Sequence, residues 1–305
     1  MFEFRFTVFT PTFNRADKLH RVFESLQLQS FLDMEWLIID DGSTDQTKSV
    51  VEEFKKQARF PIRYVYQNNT HKFITLLRGA EMANGEFFYS VDSDDEILPN
   101  ALEVLNEAWL SIADDKKKYF SGVTGLCINQ NNQLIGSKFP LSPFDSDSLE
   151  CAIKYRISGE KSGFQKTELL RQFSVDKSYE QNGYIPEGIL WISLANRGFK
   201  TRYINQVLRR YYVNAGHSIM TSASFVANAF GTYQYSKLFL NSYKGYFFYN
   251  PKQLMGQIIK FTASGWLQGY STLELLSQIN VFIIKVLYIF SIPISYVYSL
   301  NANKN

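Results

Sequence analysis

The chain has 305 residues, 45% hydrophobic and 16% aromatic, with a formal net charge of +3. That length buries a substantial core, and so small a positive charge argues against a dedicated nucleic-acid binder. Cys127 and Cys151 are the two cysteines. They have no metal-ligand spacing and make no disulfide framework, so a reducing, cytosolic setting is expected. The first ten residues carry Glu3 and Arg5 and run directly into a strand pattern, unlike a signal peptide.

In chain order, apolar runs of strand length alternate with helical stripes. Strands are expected over 5–10, 35–39, 62–66 and 86–91. The first helical stripe is Leu19, Val22, Phe23 and Leu26, at i, i+3, i+4 and i+7. Val50, Val51 and Phe54 form a second, preceded by a capping-box pattern at Ser43 and Gln46. Leu76, Leu77, Ala80 and Ala83 form a third, stopped by Gly85, and Leu102, Leu105, Trp109 and Ile112 a fourth, opened by Pro99. The runs Trp36 to Ile39 and Phe87 to Val91 are continuous rather than alternating, as in strands covered on both faces. The alternation predicts right-handed crossovers and an open, mostly parallel α/β sheet flanked by helices. Polar runs at 114–118 and 142–148 are the expected linkers.

Three carboxylates, Asp92, Asp94 and Asp95, occur within four residues at the end of the fourth predicted strand. Asp40 and Asp41 close the second. Like charges crowded into a partly dry site are costly unless a cation neutralises them. Mg²⁺ and Mn²⁺ take oxygen ligands and are commonly shared between one or two carboxylates and substrate phosphates. Ligands of open α/β sheets bind outside the carboxyl ends of the strands. Residues 10–14, 40–43 and 92–95 are therefore expected to converge on one crevice holding a metal-bound phosphate.

Thr10-Pro11-Thr12-Phe13-Asn14-Arg15, the run Trp36 to Asp45, and Ala83-Asn84-Gly85-Glu86 leading to Asp92-Ser93-Asp94-Asp95 together resemble family 2 glycosyltransferases. These are inverting enzymes of the Rossmann-like GT-A fold that use nucleotide-sugar donors. The resemblance covers roughly residues 4 to 215. It implies a donor pocket in which Asp41, with Asp40 beside it, binds the nucleobase over a floor of Thr10, Thr12 and Phe13. Asp92, Ser93 and Lys72 lie at the ribose and phosphates. Asp92 and Asp94 hold Mn²⁺ or Mg²⁺, with His217 a further ligand. Asp95, Glu160, Lys161 and Trp191 face the sugar and acceptor. Glu187, opening a helix after a glycine-containing loop, matches the general base, with Glu180 the fallback. Many relatives have Glu-Asp where this chain has Glu187-Gly188, and Arg-Asn where it has Leu76-Leu77.

From residue 221 onward there are six lysines and one acidic residue, Glu274. This shift separates an expected catalytic domain, 1–220, from a helical, aromatic-rich extension, 221–305. Within it 281–300 is almost entirely apolar, interrupted by Lys285 and Pro293. Contact with the membrane interface, packing on protein (a partner or a second copy included) and a true span are the three readings. The expected activity is transfer of a sugar from a UDP- or other NDP-sugar to a hydroxyl of a glycan acceptor, lipid-linked and presented at the cytoplasmic face of the membrane. The rivals are a degenerate, non-catalytic glycan- or membrane-binding protein and a nucleotidyltransferase. Against the last stands the lack of a glycine-rich, basic phosphate loop after the first strand.

Overall fold

The computed structural model describes residues 2–175, 177–212, 224–242, 245 and 249–302. Two compact units divide the chain: Met1–Ser146 with Ile157–Ser174 and Phe199–Val213, and Asp147–Arg156 with Val175–Gly198 and Asn214–Asn305. The second unit thus begins well before the composition shift near residue 220. Segments 147–156 and 175–198 join it because Leu149, Ile153 and Ile192 share a core with the C-terminal helices.

In the first unit the four predicted strands are β1 (Phe4–Thr12), β2 (Met34–Asp40), β3 (Ile62–Tyr66) and β4 (Gly85–Ser90). They lie in the order β3-β2-β1-β4, all parallel. Helices α1 (Leu19–Gln27), α2 (Thr47–Gln57) and α3 (His71–Met82) connect them, and α4 (Ala101–Leu110) follows. The sheet continues through β5 (Glu96–Ile97), β6 (Phe120–Asn129), β7 (Phe144–Ser146), β8 (Lys161–Lys166) and β9 (Lys200–Tyr211). Here β8 is antiparallel to β4 and β6, β9 is parallel to β6, and β5 and β7 pair antiparallel with β9. The expected linker at 142–148 therefore contains a strand, because Phe144, Asp145 and Ser146 pair with Tyr203, Arg202 and Thr201. A short helix, α6 (Thr167–Leu170), completes this unit.

Aromatic packing fixes the sheet against its helices. Phe87 stacks on Phe164 at 4.1 Å and meets Phe6 at 5.4 Å and Trp109 at 5.1 Å, all buried. Fully burying such a side chain contributes about 1.5–3 kcal/mol. Strand ends are aligned by a buried polar knot. Glu35 accepts from the Thr7 hydroxyl at 2.7 Å, from the Asn84 amide at 2.6 Å and from Arg63 at 2.9 Å. Thr7 Oγ1 in turn accepts from the Gly85 amide at 2.8 Å. A carboxylate thus locks β1, β2 and the start of β4 in register. At the other end Thr12 pairs with Asp40 and the Asp41 amide donates to the Thr12 carbonyl at 2.8 Å.

The second unit is helical: α5 (Ser148–Ile153), α7 (Ser178–Gln181), α8 (Gly188–Asn196), α9 (Ala229–Ser242), α10 (Pro251–Leu267), α11 (Thr272–Ser277) and α12 (Phe282–Ala302). Its core joins Tyr233, Phe239, Leu254, Ile258, Phe261, Leu275, Ile284 and Tyr288.

Replacing Glu35 by leucine leaves the buried Thr7 hydroxyl and the half-buried Asn84 amide and Arg63 guanidinium without this acceptor. Urea unfolding is expected to show a loss of about 3 kcal/mol, whereas an equal loss on removing an exposed carboxylate such as Glu53 would deny the knot any special role.

Candidate active site

Three loops leave the carboxyl ends of β1, β2 and β4 and are tied to one another. After β1, Asn14 adopts a left-handed backbone, φ +50°. Its amide donates to Ser43 Oγ at 2.8 Å, and its side chain accepts from the Thr44 amide at 2.8 Å. Ser43 therefore serves the inter-loop contact and not the expected capping box. Asp45 satisfies the helix start instead, accepting from the Thr47 amide at 3.0 Å. Gly42 sits at φ +95°, where a side chain would also press on the Asn69 amide.

The residues expected at the nucleotide lie at or just beyond the carboxyl ends of β1 and β2. Thr10 is buried and accepts from Trp36 Nε1 at 3.0 Å. Thr12 is buried, and its hydroxyl has no hydrogen-bond partner. Phe13 is exposed. Asp40 is held by the Ser43 amide at 2.8 Å and the Tyr64 hydroxyl at 2.6 Å. Burial first, and then that bond to Asp40, push the Tyr64 phenol well above its ordinary pKa. Asp41 Oδ1 accepts from Gln67 Nε2 at 2.6 Å and from the Thr70 amide at 2.9 Å. Arg78 orients Gln67 by donating to its carbonyl oxygen at 2.6 Å.

Each carboxylate of the acidic loop faces a cation from a different element. Lys72, in the first turn of α3, lies 2.7 Å from Asp92 Oδ1. The preceding His71 has φ +69°, so the helix begins from a strained residue beside the site. Arg15 Nη1 lies 3.3 Å from Asp94 Oδ2, and Arg21 donates to the Asp94 carbonyl at 3.3 Å. Arg209, buried in β9, lies 3.3 Å from Asp95 Oδ2 and 3.3 Å from Glu160 Oε2. Burial opposes ionisation of Asp92, but Lys72, Arg209 and Arg15 outweigh it and hold the carboxyl below the usual range. For Asp95, burial, reinforced by Asp92 and Asp94 against Arg209, pushes the carboxyl up to about 7. Ser93 is buried between the pair.

Among the described residues no three His, Cys, Asp or Glu side chains enclose a cation. Asp92 and Asp94 nevertheless supply oxygen donors of the kind that a hard divalent ion, completed by substrate phosphates, takes.

The remaining expected residues are dispersed. Glu160 is bound to Arg209, and Lys161 donates to the Ser158 carbonyl at 2.6 Å at the start of β8. Glu187 and Trp191 belong to the second unit. Glu187 is the residue before α8, its carbonyl accepting from the Leu190 amide at 2.9 Å, and the Trp191 carbonyl accepts from Ser148 Oγ at 2.8 Å. His217 lies outside the described residues. Gly188 has a steric cause: a Cβ there would stand 2.7 Å from the Tyr235 ring. The aspartate common in relatives does not fit against that tyrosine. Arg209, Gln67 and Tyr64 were not anticipated. The one readable sign is an Arg209-Arg210 pair inside the otherwise apolar and aromatic run 207–213.

Acidic loops at the carboxyl ends of parallel strands define a class of α/β protein whose ligands bind outside those strand ends. Residues 7–127 match the model of glycosyl transferase family 2. A Campylobacter jejuni GalNAc(5)-diNAcBac-PP-undecaprenol beta-1,3-glucosyltransferase is 29% identical over 75% of this chain and 71% of its own. Staphylococcus aureus TarS 1–349 in complex with UDP-GlcNAc superposes with TM-score 0.59 at 16% identity, over 98% of this chain and 89% of that one. A Pyrobaculum calidifontis mannosyltransferase in complex with GDP-Man and Mn²⁺ gives TM-score 0.55 at 16% identity, over 99% and 85%. The chain is a glycosyltransferase with the GT-A fold, and residues 7–127 carry its similarity to family 2.

Gly188→Asp is expected to cost about 1–3 kcal/mol through overpacking, read as a lowered thermal midpoint. Tyr235→Ala in the same chain should make the aspartate tolerable. A Gly188→Asp protein as stable as wild type would remove this explanation of the departure.

Proposed function

We propose that this enzyme is an inverting transferase that moves a sugar from a UDP- or other NDP-sugar to a hydroxyl of a lipid-linked glycan at the cytoplasmic face of the membrane. The observation that carries the reading is the tethering of loops 12–15, 40–45 and 92–95 at one sheet edge, each acid of the last balanced by its own cation. Asp41, with Oδ1 pinned by Gln67 and Thr70, accepts from the nucleobase through Oδ2. Thr10, Thr12 and Phe13 lie beneath it, while Asp40 and Ser93 hold the surrounding loops. Asp92 and Asp94 would hold Mn²⁺ or Mg²⁺, which when bound would offset the charge of the diphosphate.

The acceptor oxygen attacks the anomeric carbon on the face opposite the diphosphate. The carbon–oxygen bond to the nucleotide breaks, the nucleoside diphosphate leaves with that electron pair, and configuration inverts. Glu187 takes the acceptor proton. Lys72 and Arg15, which face Asp92 and Asp94 without donor, turn to the phosphates when the donor arrives. Asp95, Glu160, Lys161 and Trp191 face the transferred sugar and acceptor, and His217 approaches the diphosphate. The acceptor class follows the Campylobacter relative, which is named for a lipid-linked glycan. A non-catalytic scaffold predicts no metal-dependent nucleotide affinity, and a nucleotidyltransferase predicts pyrophosphate as product.

Asp94→Ala is expected to abolish Mn²⁺-dependent binding of UDP or GDP in calorimetry. Glu187→Gln is expected to lower turnover by about 10³-fold with donor affinity retained; an unaltered rate would exclude Glu187 as base. Arg15→Ala removes a competitor for Asp94, so Mn²⁺ should bind the nucleotide-free enzyme more tightly while nucleotide binds more weakly. Weaker Mn²⁺ binding in that variant would contradict the exchange of cations.

A further inference from the structure

Helix α12 is unlike an ordinary surface helix. Ile284, Tyr288, Ser291 and Ser295 are fully buried, and their spacing of i, i+4, i+7 and i+11 makes them one stripe. Tyr288 packs on Phe261 at 6.3 Å, and its hydroxyl donates to the Thr272 carbonyl at 3.0 Å. The opposite side carries Phe282, Ile283, Ile289, Phe290, Ile294 and Val297, with Phe282 79% and Phe290 76% exposed. At 3.6 residues per turn these six fall within one arc facing away from the buried stripe. The helix is therefore apolar on both sides, its inner side packed on protein and its outer side in need of a non-aqueous neighbour.

We infer that this stripe docks on an anionic phospholipid surface, with α12 lying in the plane of the interface and not crossing it. The helix has 21 residues, about 31 Å at 1.5 Å per residue, so length alone permits a span. Its inner side, however, is committed to α10, which carries Lys252, Gln253, Gln257 and Lys260. Taking those groups into the hydrocarbon would be prohibitive, whereas an interfacial helix buries one apolar face and leaves the other on the protein. Charge selects the occupant. Residues 221–305 hold six lysines against Glu274, and Glu274 is engaged by Ser271 in the capping box that starts α11. Lys285, in the first turn of α12, flanks the stripe and can extend its ammonium to headgroups. A second copy would bring the same basic charge against itself. The inference deepens the lipid-linked acceptor reading and rests on it, because docking brings the enzyme to the surface that holds such an acceptor.

The test is co-sedimentation of the full chain with vesicles of phosphatidylcholine alone or mixed with phosphatidylglycerol. Binding to the mixed vesicles is expected to be about 10-fold stronger, to fall about 10-fold in Phe290→Glu/Ile294→Glu, and to be released by alkaline carbonate. Nucleotide affinity of the double variant should equal wild type. Loss of vesicle binding alone therefore reports docking, whereas absent nucleotide binding in the wild-type chain defeats the transferase reading and leaves docking standing. Should the double variant not fold, Phe290→Trp conserves the apolar face. Its added fluorescence should be quenched by brominated lipid, and no quenching overturns the proposal. So do equal binding to neutral vesicles, resistance to carbonate, or a dimer that the double variant converts to monomers.

Discussion

Three carboxylates within four residues at one strand end constrain the rest of the catalytic domain. Two like charges about 5 Å apart repel by about 3 kcal/mol at an effective dielectric of about 20, so Asp92, Asp94 and Asp95 cannot remain together without compensation. The compensating charges come from three places distant in the chain: Arg15 after β1, Lys72 at the start of α3 and Arg209 in β9. The sheet order β3-β2-β1-β4-β8-β6-β9 is what brings those elements to the acidic loop. Arg210 repeats the pattern one residue on, with a two-pronged bond to Glu96 at 2.8 Å. The short strand β5 is thereby clamped to β9 directly behind the acids. Charge balance and sheet topology are two descriptions of one requirement.

That requirement also explains which parts of the fold were legible. Strands β1, β2 and β4 announce themselves because both faces are covered, so Trp36 to Ile39 and Phe87 to Tyr89 are unbroken apolar runs. The helices between them show one apolar stripe each. β8, Lys161 to Lys166, is short and polar at both ends, and its identity comes only from pairing with β4 and β6. β7 is three residues in a polar stretch, and β5 is two. Periodicity has nothing to act on at that length, and tertiary pairing decides.

The candidate site divides in the same way. Asp40, Asp41, Asp92 and Asp94 were readable because carboxylates closing apolar strands have few other reasons to be there. Gln67, Thr70 and Arg78, which orient Asp41, carry no such mark: a polar run after a strand reads as an ordinary loop. Arg209 is a cation placed by a partner far away in sequence. In one dimension Gly188 is only a departure from the Glu-Asp of many relatives; in three it is the space that Tyr235 takes. The domain boundary was misjudged because composition averages over surface residues, whereas Leu149, Ile153 and Ile192 are bound to the C-terminal helices by a few buried contacts.

The second unit is assembled from three separate stretches, and its core needs Ile284 and Tyr288 from the last helix. During synthesis the nucleotide-binding sheet, whose last strand ends at Tyr211, has all its strands while the helix that begins beside Glu187 still lacks part of its packing. A nascent chain at that stage has every strand of its sheet before α8 is firmly seated. Full packing of α8 then waits for α12, whose Ile284 and Tyr288 share its core.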